Sequence, residues 1–164
     1  MKLGFVCTNY NNSRFTRAAI ASLHAGGRGQ DVRAVVVDSR SRDEDVADLQ
    51  EIKQDFPGTE LLLHPENVGY FPGLNLGIRR LRVAFPEIEH LVIGNNDLVF
   101  PEDFIATVER HAEILGTWAV VAPDLVTQDG IHQNPHVLHP ISPARKLVWD
   151  VYFLSYGMAV LIRY

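Results

Sequence analysis

A single cysteine, Cys7, excludes an intramolecular disulfide, and with no Cys or His partner at ligand spacing it does not suggest a zinc centre. Cys7 lies inside an apolar run and is expected in the core. No apolar stretch approaches the roughly 18 residues that span a bilayer, and Met1-Lys2-Leu3-Gly4-Phe5-Val6 turns polar too soon for a secretory signal. The expectation is a cytoplasmic chain without a membrane span. Positive charge is scarce as well: a formal net charge of -5 leaves only the local stripe Arg79, Arg80 and Arg82, so no nucleic-acid partner is expected. There is no internal repeat and no low-complexity tract. What remains, 164 residues with 46% hydrophobic and 21% charged, is the balance of one globular domain. The predicted organisation is a single domain over 1–164, with a core at 1–123 and an irregular connection and hairpin at 124–164.

Apolar runs and helical stripes alternate along most of the chain. Leu3 to Thr8 reads as a buried strand that stops at the polar cluster Asn9 to Ser13. Ser13 can cap a following helix striped by Phe15, Ala18, Ala19 and Leu23 and closed by Gly26-Gly27. Val32 to Val37 is a second strand, and Val46, Leu49, Ile52 and Phe56 mark a second helix ending at Pro57-Gly58. Leu61 to Leu63, the stripe Leu74, Ile78, Leu81 and Phe85, and Leu91 to Ile93 continue the alternation. Pro101 opens a helix carrying Phe104, Val108, Ala112 and Leu115, and Ala119 to Ala122 reads as a strand. Leu147 to Leu154 and Met158 to Ile162 read as the two strands of a hairpin. Such alternation predicts an α/β fold with a mostly parallel sheet and helices on both faces. Ligands of these sheets lie beyond the carboxyl ends of the strands, which directs attention to Asn9, Asp38, His64 and Asn95.

Three clusters there could carry chemistry. Gly94-Asn95-Asn96-Asp97 follows a buried strand, where a carboxylate can meet Mg²⁺ or Mn²⁺, ions that take one or two carboxylates and fill the rest with phosphate and water. The plainer alternative is an Asn-Asp turn capping its own backbone. Asp38-Ser39-Arg40-Ser41-Arg42-Asp43 offers Asp38 as an acceptor for a ribose hydroxyl or base imide, while Asp43 reads as a helix N-cap or first-turn acid. The stretch from His64 to Gly77 leads through Gly69, Gly73 and Gly77 into a helix, spacing that suits either a backbone close to an anion or tight helix packing. It is not the dinucleotide fingerprint. His64, at a strand end, is a further candidate; Trp118 and Trp149 read as packing residues, and His132, His136 and His139 do not share a helix face.

In this order the clusters resemble family 2 glycosyltransferases of the GT-A fold. The matching pieces are Thr8-Asn9-Tyr10-Asn11, Val36-Val37-Asp38-Ser39-x-Ser41-x-Asp43, Asn67-x-Gly69-x-x-x-Gly73-x-Asn75-x-Gly77, Asn95-Asn96-Asp97-x-Val99, Pro101-x-Asp103-Phe104 and Asp129-Gly130. The resemblance covers nearly the whole chain. It implies transfer of a sugar from a nucleoside-diphosphate sugar to a hydroxyl of a glycan or other acceptor, typically with inversion and assisted by Mg²⁺ or Mn²⁺. By the same resemblance Tyr10 lies against the base, Asp38 binds base or ribose, Asn96 lies near ribose or metal, and Asp97 holds the metal. Thr8, Asn9, Asn67, Gly69 and Asn75 complete the donor-binding set. A lipid-linked acceptor would bring the protein to the inner face of the membrane.

The sequence departs from that pattern at Asn96, where the family often has an acid, and at Asn9, where it more often has Thr. The family's general base lies downstream of a segment like Tyr156-Gly157-Met158-Ala159-Val160; this sequence stops at Tyr164, and Asp124, Asp129 and Asp150 do not match the base position. The base is left unassigned, and a non-catalytic nucleotide-binding or interaction domain stands as the alternative. A nucleotidyltransferase would need a Gly-rich basic loop after the first strand, and Asn9 to Ser13 contains neither Gly nor Lys. Donor base, sugar, acceptor and oligomeric state are not readable from these residues.

Overall fold

The computed structural model describes residues 2–27, 32–133, 142–154 and 160. The chain divides into two units, Met1–Trp118 and Ala119–Tyr164. In the first, four strands alternate with helices: β1 (Leu3–Asn9), α1 (Ser13–Gly26), β2 (Val32–Ser39), α2 (Asp43–Asp55), β3 (Thr59–His64), α3 (Tyr70–Ala84) and β4 (His90–Ile93), then the short α4 (Phe104–Arg110) and α5 (Ala112–Leu115). The strands form one parallel sheet in the order β3-β2-β1-β4.

Side-chain parity along the two central strands builds a layer on each face. Leu3, Phe5 and Cys7 of β1 and Val32, Ala34 and Val36 of β2 pack with Ala19, Ile20 and Leu23 of α1, Leu49 and Ile52 of α2, and Ile105 of α4. Val6, Val35 and Val37 point the other way, onto Leu74 and Leu81 of α3. Both faces are covered, so both strands are nearly continuous apolar runs, as their sequences required. Phe100 closes the first layer, its ring edge-on to Phe5 at 5.2 Å. Cys7 is buried and free, and burial pushes its thiol up to about 12, which keeps it neutral and unreactive.

The second layer is unusually close because it meets the sheet through glycine. A Cβ on Gly77 would stand 2.4 Å from Val6 Cγ1 and 3.0 Å from Val37 Cγ2, and one on Gly73 would stand 2.7 Å from Thr8 Cγ2. Gly4 of β1 answers from the sheet, with Leu81 filling the space beside it. Of the two readings open for these glycines, Gly73 and Gly77 satisfy the packing one.

Several sequence expectations are corrected. The buried face of α1 runs through Thr16, Ala19, Ile20 and Leu23, while Phe15 is 41% exposed and Ala18 is exposed, because the Thr16 hydroxyl has a buried partner on β1. Ser13 is the first helical residue, with Asn12 as N-cap; its hydroxyl donates to Asp48 of α2 at 2.9 Å and its amide to Asp45 at 2.9 Å. Asp43 takes the first-turn position, where the helix dipole favours acid. The helix expected from Pro101 begins at Phe104 and breaks at His111. Ala119 to Ala122 forms no strand, and Trp118 is 68% exposed.

Among its described residues the second unit holds an isolated antiparallel bridge, Val126 with His132, and a helix, α6 (Pro143–Tyr152). Leu147 to Leu154, expected as a strand, is mostly this helix: the Ser142 side chain accepts from the Arg145 amide at 3.3 Å and Pro143 occupies the first turn, a strong local start. Trp149 is 48% exposed, in contact with Arg145 and Phe153 instead of filling a core. The companion strand expected at Met158 to Ile162 lies outside the described residues except for Val160, as do His136 and His139.

Candidate functional site

The carboxyl ends of the strands meet on one rim of the first unit. In the β1–β2 register Asn9 stands opposite Asp38, and parity turns both side chains to the α1 side. Each is 1% exposed. Burying an amide and a carboxylate there requires partners for every polar atom. Asn9 Nδ2 donates to Asp38 Oδ1 at 2.9 Å and to Ser41 Oγ at 3.1 Å. Asp38 also accepts from the Ser41 amide at 2.9 Å and from its hydroxyl at 2.5 Å. The Asp38 carboxylate thus receives three hydrogen bonds, and its evident work is to shape the β2–α2 loop.

The two loops are also tied to each other. The Asn11 amide donates to Ser41 Oγ at 2.7 Å, and Asn11 Oδ1 accepts from the Arg42 amide at 2.9 Å. Asn11 and Arg40 both adopt left-handed backbone, with φ of 51° and 62°. Asparagine tolerates this readily; at arginine it costs about 1 kcal/mol, which the surrounding hydrogen bonds offset.

The third element joins from β4. Asn96 Nδ2 donates to Thr16 Oγ at 2.9 Å and to Asn9 Oδ1 at 3.2 Å, and approaches the Asn12 carbonyl at 3.4 Å. Thr16 Oγ donates in turn to Asn9 Oδ1 at 2.8 Å.

Around this framework lies a cleft of about 250 Å³, lined by Thr8, Asn9, Tyr10, Asn12, Ser39, Asn67, Gly69, Tyr70, Asn95 and Asn96. Six sequence candidates line it: Thr8, Asn9, Tyr10, Asn67, Gly69 and Asn96. Tyr10 is 55% exposed and offers a free ring face to a planar group. Gly69, at φ 79°, precedes α3, and its amide donates to Asn67 Oδ1 at 3.0 Å, so these two residues build the turn that starts the helix. Asp38 lies behind the wall, and Asn75, exposed on α3, is not part of the lining.

Asn95, a strand-end position the sequence pointed to, also lines the cleft, whereas Asn12, Ser39 and Tyr70 are lining residues that did not stand out as individual sequence candidates. Ser39 is 3% exposed and its hydroxyl has no hydrogen-bond partner among the described residues. The signal for it was present in the strand itself: Thr8 and Ser39 share the α3-side parity of Val6 and Val37, which brings them to one wall. His64 is folded onto its own turn, with Nδ1 2.9 Å from the Glu66 carbonyl oxygen, and does not line the cleft.

Asp97 follows Asn96 and is exposed. Partial burial raises the Tyr70 phenol above its ordinary range, and Cys7 and then Asp97 add to the effect. Among the described residues no three His, Cys, Asp or Glu side chains gather to make a metal site by themselves. A lone accessible carboxylate is nevertheless the donor set suited to Mg²⁺ or Mn²⁺ held jointly with ligand phosphate and water.

In the second unit, Asp124 pairs with His132 at 2.6 Å and Asp129 accepts from the Thr127 hydroxyl inside a tight turn. Both acids are thus engaged locally.

The family model described as glycosyl transferase family 2 matches residues 5–163. Among solved structures, S. aureus TarS 1-349 in complex with UDP-GlcNAc is similar over 93% of this chain and 48% of its own, with a TM-score of 0.57 and 15% identity. The mannosyltransferase PcManGT from Pyrobaculum calidifontis, in complex with GDP-Man and Mn²⁺, is similar over 66% of this chain and 31% of its own, with a TM-score of 0.55 and 19% identity. The chain therefore spans half or less of the length of these structures, and the likeness establishes a shared fold. No curated protein matches the chain.

Proposed function

The chain belongs to glycosyl transferase family 2, and on that premise we propose that the cleft receives a nucleoside-diphosphate sugar whose sugar passes, with inversion, to an acceptor hydroxyl. The observation that carries this reading is the arrangement of the rim: the exposed Tyr10 ring and the loop Asn95–Asn96 line one cleft, and the exposed Asp97 carboxylate follows directly. A cleft of about 250 Å³ is small for a whole ligand and suits the nucleoside end, with the diphosphate and sugar extending beyond it. Tyr10 stacks on the base. Asn67 and Asn95 supply polar contacts, and Asn12 and Ser39 extend the lining. Asp38 acts through the loop that it shapes.

Asp97 would hold Mg²⁺ or Mn²⁺, which supplies charge neutralisation for the departing diphosphate. The nucleotide complexes of the similar structures, UDP-GlcNAc in one and GDP-Man with Mn²⁺ in the other, support a nucleotide-sugar reading without choosing the base. The acceptor is a glycan or another hydroxyl compound, and a lipid-linked acceptor would place the reaction at the inner face of the membrane.

The test is calorimetric titration with UDP, GDP and dTDP, with and without Mn²⁺, beside Asp97→Ala. The expected result is tighter binding of one nucleotide with Mn²⁺ and loss of that gain, about tenfold or more, in the variant. Absence of binding to all three would overturn the donor-site reading. Donor hydrolysis in the same samples separates a working transferase from a module that binds without turnover.

A further inference from the structure

We infer that Asn96 is a positioning residue whose side-chain NH₂ latches the Asp97 loop to the β1–α1 loop that carries Tyr10. The latch deepens the donor-site reading and rests on it for the ligand measurement. The argument follows the direction of the hydrogen bonds. Asp38 can only accept, so the Asn9 amide must present its NH₂ to Asp38 and Ser41. That fixes Asn9 Oδ1 toward α1, where Thr16 spends its proton at 2.8 Å. Thr16 Oγ is then left as an acceptor, and it receives Asn96 Nδ2 at 2.9 Å. The donor chain Asn96→Thr16→Asn9→Asp38 ends on the buried Asp38 carboxylate and has a single consistent direction.

Everything around Asn96 Nδ2 is therefore an acceptor: Thr16 Oγ, Asn9 Oδ1 at 3.2 Å and the Asn12 carbonyl at 3.4 Å. A carboxylate at position 96 would set a charged oxygen against two groups that can only accept. Asparagine stands at this position because the site requires a donor there, and its amide oxygen has no partner among the described residues. The residue beside it, Asp97, inherits its location from that anchor.

Two roles for Asn96 then predict opposite orders of variants. If Asn96 were itself a metal ligand, Asn96→Asp would hold Mn²⁺ at least as well as the native chain, and Asn96→Ala would be the weaker variant. The latch predicts that Asn96→Asp is the more harmful of the two. In titrations of the variant chains with the nucleotide that binds the native protein, both variants should lose about tenfold in the Mn²⁺-dependent part of the affinity, with Asp at or below Ala. The affinity for nucleotide without metal should change less than about threefold. Thr16→Val should reproduce the Asn96→Ala loss, combine with it without further effect, and be relieved by Thr16→Ser, which keeps the hydroxyl.

Urea unfolding supplies a ligand-free arm: Asn96→Asp should unfold at lower urea than Asn96→Ala, and the Asn96→Ala/Thr16→Val cycle should be non-additive. This arm stands even if no nucleotide binds, so failure of the donor-site reading and failure of the latch are told apart. Tighter Mn²⁺-dependent binding in Asn96→Asp, equal loss of metal-dependent and metal-independent affinity, or additive stability effects would each overturn the proposal.

Discussion

Replacing Gly77 by alanine adds one methyl group at the closest approach between α3 and the sheet. Its carbon would fall 2.4 Å from Val6 Cγ1, about 1 Å short of ordinary contact, and 3.0 Å from Val37 Cγ2. Neither valine has an easy way to yield: both are 0% exposed and β-branched, with a stiff χ1. The helix has to lift or the valines must leave their rotamers, overpacking that costs about 1–3 kcal/mol. Alanine recovers about 0.5–1 kcal/mol of helix propensity. The expected net loss is about 1–2 kcal/mol, or a fall in Tm of roughly 3–8 °C for a chain of this size. Urea unfolding followed by far-UV circular dichroism, with the exposed Arg79→Ala on the same helix as a control near zero, measures it. A Gly77→Ala protein as stable as the native chain would refute the claim that α3 rests on the strands through its glycines.

Asp38→Asn should cost about 2–3 kcal/mol in the same assay, because an amide NH₂ would face donors from Asn9 and Ser41 where a carboxylate accepts. Ser39→Ala should raise stability by about 1 kcal/mol, since it removes a buried hydroxyl without a partner; a fall in stability would mean that the hydroxyl is satisfied in solution. His24 is held below its ordinary pKa by burial and secondarily by the Arg33 charge. The unfolded chain therefore takes up the proton first, so this contribution to stability is complete above about pH 6.5 and is lost as pH falls from there through the folded pKa. The stability difference between pH 7.5 and 5.5 should be smaller in His24→Asn than in the native chain, and an identical difference would refute that assignment.

The parts of the fold that the sequence made legible are those in which one local rule acts alone. Val32 to Val37 is too apolar and β-branched to be anything but a strand covered on both faces, and the stripe Leu74, Ile78, Leu81, Phe85 is the face by which α3 meets the sheet. Errors arose where a tertiary partner or a neighbouring signal overrode the pattern. Thr16, absent from the apolar stripe expected for α1, is 0% exposed and bonded to Asn9 and Asn96. Leu147 to Leu154 has the residues of a strand, yet Ser142-Pro143 ahead of it starts a helix, a signal that was in the sequence and outweighed the composition. Within the cleft, strand ends and loops could be named in advance, and six candidate residues line it together. What could not be read was direction: which side of the Asn9 and Asn96 amides faces which neighbour depends on contacts made across 29 and 80 residues of chain.

The Asn9–Asp38 pair also bears on how the chain finds its alignment. Parallel strands are joined non-locally, and the valine-rich runs of β1 and β2 would pair almost as well one step out of place, since apolar side chains on either face still find cover. A slipped arrangement, however, would turn one member of this pair to the opposite face and strand an amide or a carboxylate in the interior, a penalty of several kcal/mol. The polar contact works as a proofreader of strand register, so the same bond that completes the rim rejects misaligned sheets, and a correctly zipped β1–β2 ladder arrives with the Thr8, Asn9 and Ser39 part of the cleft wall in place.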